Sequence, residues 1–154
     1  MPLVAVRAAK TKYVVFDGEG ARRQGGRWSS PGRPVIYASS CLAGALLEIL
    51  VHTGAARLPG PHHAAIAEIP DHIRYEVVDP AAVPGWDVVP DAPVARAYGD
   101  RWFDEGRTAA LVVPAATARP LQQHILLNPE HPDYAALRIE PPAPVVWDVR
   151  LVAT

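Results

Sequence analysis

Between Cys41 and Val51 every residue is apolar or glycine except Glu48. The run is preceded by Ser39-Ser40 and followed by Gly54. A serine can cap a helix N-terminus and a glycine can stop its C-terminus, so the segment predicts a helix. A helix this apolar must be packed against something, and the carboxylate inside it needs an explanation. Burying a carboxylate unpaired costs several kcal/mol, so Glu48 must be paired, protonated or facing a cavity. On a helix it shares a face with Gly44, Ala45, Val51 and His52, and the first two are small enough to leave room beside it. Two readings stand open: a structural ion pair with a nearby arginine, and a carboxylate at the floor of a cleft.

The rest of the chain reads as short elements. Residues 3–7 and 12–16 are valine-rich strand candidates, as are Val35–Ala38, Ala64–Ile69, Ala109–Val113 and His124–Leu127. Leu137–Ile139 and Val145–Leu151 read as closing strands. Ala95–Arg107 predicts a second helix with Ala97, Trp102 and Phe103 toward the core, although Gly99 weakens it. Residues 78–94 carry four prolines and read as irregular. No repeat or linker divides the 154 residues, so one domain over 1–154 is expected, of mixed α/β (α+β) class with helices flanking mixed sheets.

Composition excludes several classes of function. The net charge is −1 with no run of like charge, which argues against a nucleic-acid surface. No apolar run approaches membrane-span length, and the N-terminus lacks the core of a signal peptide, so a cytoplasmic protein is expected. Cys41 is the lone cysteine, which precludes an internal disulfide; set among apolar residues, it reads as a small buried hydrophobe. His62-His63, Glu68, Asp71 and His72 fit no metal-ligand spacing, and no metal is expected. Thirteen of the 15 basic residues are arginines, the side chain suited to bidentate contact with phosphate.

Four of those arginines lie in Asp17–Pro34, which also holds five glycines and two prolines. Glycine lets backbone approach a ligand closely, and arginine can clamp phosphate. No Gly-Lys-Ser/Thr follows, and the glycines miss the Gly-x-Gly-x-x-Gly spacing, so this is neither a Walker loop nor a dinucleotide fingerprint. Followed by a strand, Tyr37 and the Glu48 helix, it suits a phosphate-bearing substrate.

Taken in order, Gly18-Glu19-Gly20-Ala21-Arg22, Gly25-Gly26-Arg27-Trp28, Val35-Ile36-Tyr37-Ala38-Ser39 and Ala45–His52 resemble the RES domain, the toxin of RES–Xre toxin–antitoxin pairs. Gly99-Asp100-Arg101-Trp102, Leu111-Val112-Val113-Pro114, Leu126–Tyr134 and Trp147–Leu151 continue the resemblance over nearly the whole chain. It implies a fold related to the ADP-ribosyltransferase toxins and NAD+ as substrate, cleaved between nicotinamide and ribose. It implies Arg27, Tyr37 and Glu48 as the catalytic residues, with Arg7, Gly26, Trp28 and His124 around the NAD+ site. It implies no resident cofactor, phosphate as a possible co-substrate, and an Xre-type antitoxin as partner in a joint oligomer. One position departs from the family: the serine expected after Val113-Pro114 is Ala115, and no serine follows Ser40. Thr117 is the nearest hydroxyl, but two residues along a strand move it by roughly 7 Å.

The chemistry fits these residue types. Breaking the nicotinamide–ribose bond builds positive charge on the sugar, which a carboxylate stabilises, as in glycoside hydrolysis. Glu48 suits that role if a cation, from Arg27 or Arg7, sits near it. Tyr37 offers a flat face to nicotinamide. His124 reads either as a substrate contact or as a satisfied histidine at a strand edge. Trp28, Trp102 and Trp147 read first as packing residues. Three functions follow: an NAD+ phosphorylase or glycohydrolase toxin, a protein ADP-ribosyltransferase, or a degenerate domain that only binds its antitoxin.

Overall fold

The computed structural model describes residues 1–54 and 56–152. Its strands are β1 (Leu3–Lys10), β2 (Ile36–Ser39), β3 (His62–Ile69), β4 (Glu76–Val77), β5 (Ala110–Pro114), β6 (Gln123–Leu127), β7 (Arg138–Ile139) and β8 (Ala143–Pro144). Its α-helices are α1 (Glu19–Gln24), α2 (Leu42–Thr53) and α3 (Pro93–Asp104). The strands form a sheet in the order β4-β5-β6-β2-β1-β3-β7, with β8 also on β3. The β4–β5 pair is parallel and the other pairs are antiparallel. This is the mixed α/β class expected from the sequence.

Both faces of the sheet centre are covered. Leu111, Val113 and Leu126 join one core with Trp28, Trp86 and Trp102; Ala110, Val112, Ile125 and Leu127 join the other with Ile36 and Ile69. That explains why β5 and most of β6 read as unbroken apolar runs rather than alternating ones. The sheet is less continuous in its middle. β1 pairs with β3 from Leu3–Ile69 to Lys10–His62, but meets β2 at Val6–Ser39.

Helix α3 fastens the glycine-rich loop to the first core. Trp28 stacks on Trp86 at 6.3 Å and meets Tyr98 edge-on at 6.2 Å. Asp100 accepts from the backbone N–H and the hydroxyl of Ser30, at 2.7 and 2.5 Å. Asp104 pairs with Arg33 at 2.6 Å. Gly99, which weakened the helix on propensity grounds, proves to be a packing requirement: a Cβ there would stand 1.7 Å from the Trp28 carbonyl oxygen.

Several expected elements differ. Residues 12–16 form no strand, because a turn closes from Tyr13 N–H to Lys10 O and the Val15 carbonyl is taken by Arg7. The loop over 17–34 contains α1, steadied by Glu19 with Arg22 and Arg23. Cys41, rather than Ser39 or Ser40, caps α2, its half-buried Sγ accepting from Gly44 N–H at 3.4 Å; Gly54 ends the helix as expected. Ala97 is exposed, and Ala95, Gly99, Trp102 and Phe103 form the buried face of α3. Residues 145–151 make no strand; Asp148 caps a short 3-10 turn at Val149–Leu151.

Gly99→Ala is expected to cost about 3 kcal/mol of unfolding free energy, since helix and loop must separate to admit the methyl. Gly20→Ala, which has open space around it, should stay within about 1 kcal/mol of the parent in the same urea titration.

Candidate active site

Strand register sets the site. Val6, Ser39, His124 and Val113 are paired in a row across β1, β2, β6 and β5, so their side chains share one face. Tyr37, two residues from Ser39, lies on that face as well. Helix α2 follows β2 directly and packs over the row. Gly44 rests on Ser39, where an added Cβ would come within 2.2 Å of the hydroxyl oxygen. One turn later, Glu48 reaches the neighbouring row position: its Oε1 is 3.4 Å from His124 Nε2.

Glu48 is half-buried, and its partners are uncharged or imidazole groups. The Thr117 hydroxyl donates to Oε1 at 2.5 Å, and exposed His52 stands 3.7 Å from Oε2. Among the described residues no arginine or lysine comes within ion-pair distance of it. The structural ion pair with arginine, one of the two sequence readings, is therefore absent from the described residues, and so is the cationic partner expected from Arg27 or Arg7. His124 is not a satisfied strand-edge histidine either. Strand β6 is interior, and Nε2 is buried with no hydrogen-bond partner among the described residues. Burial holds the His124 pKa below the usual histidine value, against the opposing pull of Glu48.

The arginines are held by backbone carbonyls. Arg7 donates to Val15 O at 2.6 Å, Tyr37 O at 2.7 Å and Asp17 O at 3.4 Å, so its guanidinium ties β1 to β2 and to the loop before α1. Burial lowers its pKa from the ordinary value, with Asp17 opposing. Arg27 uses Nη1 on Trp86 O and Val88 O, at 2.9 and 2.8 Å. Its Nε and Nη2 donate to no protein group among the described residues, which leaves one edge of a positioned guanidinium for an anion. Asp87, within the same loop, pairs with Arg119 at 2.5 Å and so joins this loop to the one carrying Thr117.

Tyr37 links the two parts. Its hydroxyl accepts from Trp28 N–H at 3.1 Å and shares a 2.7 Å hydrogen bond with Ser29. Burial is the main cause pushing its pKa up to about 12. Gly26 lies against the phenol, and a Cβ there would be 2.5 Å from the hydroxyl oxygen. Trp28, a sequence candidate for the NAD+ site, is 2 % exposed and packs in the core, as does Trp102. Residues missed as parts of the site are His52, although it lies one turn from Glu48, and the Asp87–Arg119 pair, which no local pattern signals. Gln122 was missed too: it donates to Ser40 Oγ at 2.6 Å and holds the Thr117 loop to the start of α2.

A model of the RES domain family matches residues 4–148. The Prs ADP-ribosylating toxin of Sphingobium sp. (strain YBL2) is 35 % identical over 140 residues, covering 89 % of this chain and 86 % of that one. A protein named Toxin Res from Pseudomonas putida is 35 % identical over 130 residues, covering 83 % and 87 %. The crystal structure of the M. tuberculosis MbcT–MbcA toxin–antitoxin complex contains a chain of similar fold. Its TM-score is 0.74 at 18 % identity, over 94 % of this chain and 85 % of that one.

The buried phenol makes a pH prediction. Unfolded tyrosine releases its proton near pH 10, whereas Tyr37 holds its proton to about 12. Between those values the folded state binds more protons than the unfolded, so stability falls as pH rises through pH 10–12, by roughly 2 kcal/mol. Tyr37→Phe should remove its share of that slope, leaving what Tyr98 and Tyr134, also raised by burial, contribute, while costing about 1–2 kcal/mol at neutral pH because Trp28 N–H loses its acceptor. Urea unfolding across the pH range measures both effects.

Proposed function

The chain belongs to the RES domain family, and from that premise we propose that it is the toxin of a toxin–antitoxin pair that consumes NAD+ by breaking the bond between nicotinamide and ribose. The observation that carries this reading is the state of Glu48: a half-buried carboxylate with no arginine or lysine against it among the described residues, held by a hydroxyl. A carboxylate already paired with arginine would have little field left for a developing cation. One held by Thr117 keeps its charge available to a ribosyl centre.

Each residue then has a part. The bond electrons leave with nicotinamide, which departs neutral and needs no general acid. Positive charge grows on the ribose, and Glu48 stabilises it from the α2 side. The free edge of Arg27 suits the pyrophosphate, and the carbonyls of Trp86 and Val88 fix its direction before substrate arrives. Tyr37 stays a neutral phenol, its ring set by Gly26, and presents an aromatic surface to nicotinamide. An acceptor oxygen, from phosphate or from water, then bonds to the anomeric carbon, and the proton it carried passes to solvent.

A protein acceptor is the second reading, favoured by the name of the 35 % identical Sphingobium relative, an ADP-ribosylating toxin. An antitoxin of Xre type is the partner implied by the family. The toxin–antitoxin complex among the structural neighbours supports such a pairing. The purely antitoxin-binding reading is disfavoured, because Arg27, Tyr37 and Glu48 are all present.

The test is nicotinamide release from NAD+ by purified protein, with and without phosphate, beside transfer of labelled ADP-ribose into lysate proteins. Glu48→Gln should lower the rate by about 10²–10³-fold. Release that needs phosphate makes the protein a phosphorylase, release without it a glycohydrolase, and label on a protein a protein ADP-ribosyltransferase. Absence of all three would overturn the proposal.

A further inference from the structure

We infer that Thr117 is the positioning residue that fixes the Glu48 carboxylate for reaction. The inference rests on reading Glu48 as the group that stabilises the ribosyl charge.

Ala115, where the family resemblance calls for serine, has a fully buried side chain and offers no hydroxyl. An extended chain would carry Thr117 too far to compensate, but the chain is not extended there. Strand β5 ends at Pro114, and a turn begins at once. Ala115 N–H donates to Gln122 O at 3.0 Å, and Gln122 N–H to Ala118 O at 3.2 Å. The Gln122 side chain donates to Ser40 Oγ, pinning the turn to the residue before the α2 cap. The loop thereby folds back over α2 and brings Thr117 Oγ1 to 2.5 Å from Glu48 Oε1.

The consequence is a distinction between the two carboxylate oxygens. Oε1 receives the Thr117 hydrogen bond and faces the buried His124. Oε2 is left on the side of exposed His52. A glutamate carboxyl rotates about a broad terminal torsion, so an unheld one samples many orientations. Thr117 removes that freedom without adding charge, and Oε2 becomes the oxygen presented to the ribose.

The experiment compares steady-state nicotinamide release by wild type, Thr117→Val, Thr117→Ala, Thr117→Ser and Glu48→Gln, with thermal melts of each. Thr117→Val keeps the shape and loses the hydroxyl. It should lower kcat at least about tenfold, leave KM for NAD+ within about threefold and melt near wild type. Thr117→Ser should retain activity within about threefold. A Thr117→Val enzyme as active as wild type overturns the inference. So does a raised KM with unchanged kcat, which would mean a substrate contact. A Thr117→Ser enzyme as impaired as Thr117→Val shows that a hydroxyl at this position does not suffice and also overturns it. Loss of a cooperative melt in both Thr117→Val and Thr117→Ala would assign the hydroxyl to stability, with the same result. A wild type that releases no nicotinamide, with or without phosphate or lysate, defeats the proposed function itself and the inference with it. An active wild type with an unaffected Thr117→Val defeats the inference alone.

Discussion

The sheet depends on the junction between β1 and β2. One side carries β3, β7 and β8, and the other carries β6, β5 and β4. The two sides meet at the Val6–Ser39 pair and at Arg7, whose guanidinium reaches Tyr37 O, Val15 O and Asp17 O. Hydrogen bonds from a charged donor contribute about 1.5–3 kcal/mol each, so this one side chain replaces much of the ladder missing between the strands. A planar fork can serve carbonyls from three directions, which a lysine ammonium on a single stem does poorly. The same junction sets the site, because Ser39 and Tyr37 belong to the strand that Arg7 holds, and α2 begins directly beyond it.

Around that junction the loops are fixed from several sides. Arg27 is braced by the carbonyls of Trp86 and Val88, and the Asp87–Arg119 pair joins that loop to the turn bearing Thr117. Helix α3 holds the other end through Ser30–Asp100, Arg33–Asp104 and the close contact of Gly99 with Trp28. Groups arranged in this way meet a substrate without first paying to be ordered, and electrostatic stabilisation draws on that property. The long loop is thus rigid for reasons visible in its contacts, despite its glycine and proline content.

Those contacts also mark the limit of what the sequence could yield. The mixed α/β class, the interior strands and the α2 segment were legible because period, apolar runs and Gly54 are local signals. The Glu48 oddity was legible as a question. Its answer was not, since Thr117 lies 69 positions away in the chain and His124 reaches Glu48 through strand register. The turn at Ala115–Gln122 was hidden because the position of Thr117 was reckoned along an extended chain. The Cys41 cap was hidden because serine is the commoner cap and two stood beside it. Ser39 proved to be needed under Gly44 and Ser40 beside Gln122.

The expected cation beside Glu48 followed from treating α2 as fully buried, and the structure shows where that premise fails. Only Gly44 and Ala45 of α2 are buried among its described residues; the remainder of the helix is half-buried or exposed. Glu48 therefore keeps contact with water along one side and meets a hydroxyl on the other, which meets the desolvation cost without an arginine. The difference bears on the chemistry. An arginine in contact would lower the energy of the resting carboxylate and compete with the cation of the proposed reaction. A threonine hydroxyl orients without competing, and burial disfavours the charged form of His124, against the pull of Glu48. Arg27 instead keeps one edge of its guanidinium without a protein partner among the described residues, and Arg7 is committed to backbone carbonyls. The guanidinium of Arg27 thus belongs to one loop and the carboxylate to α2. The substrate proposed above, with pyrophosphate at one end and a cation developing at the other, calls for that separation.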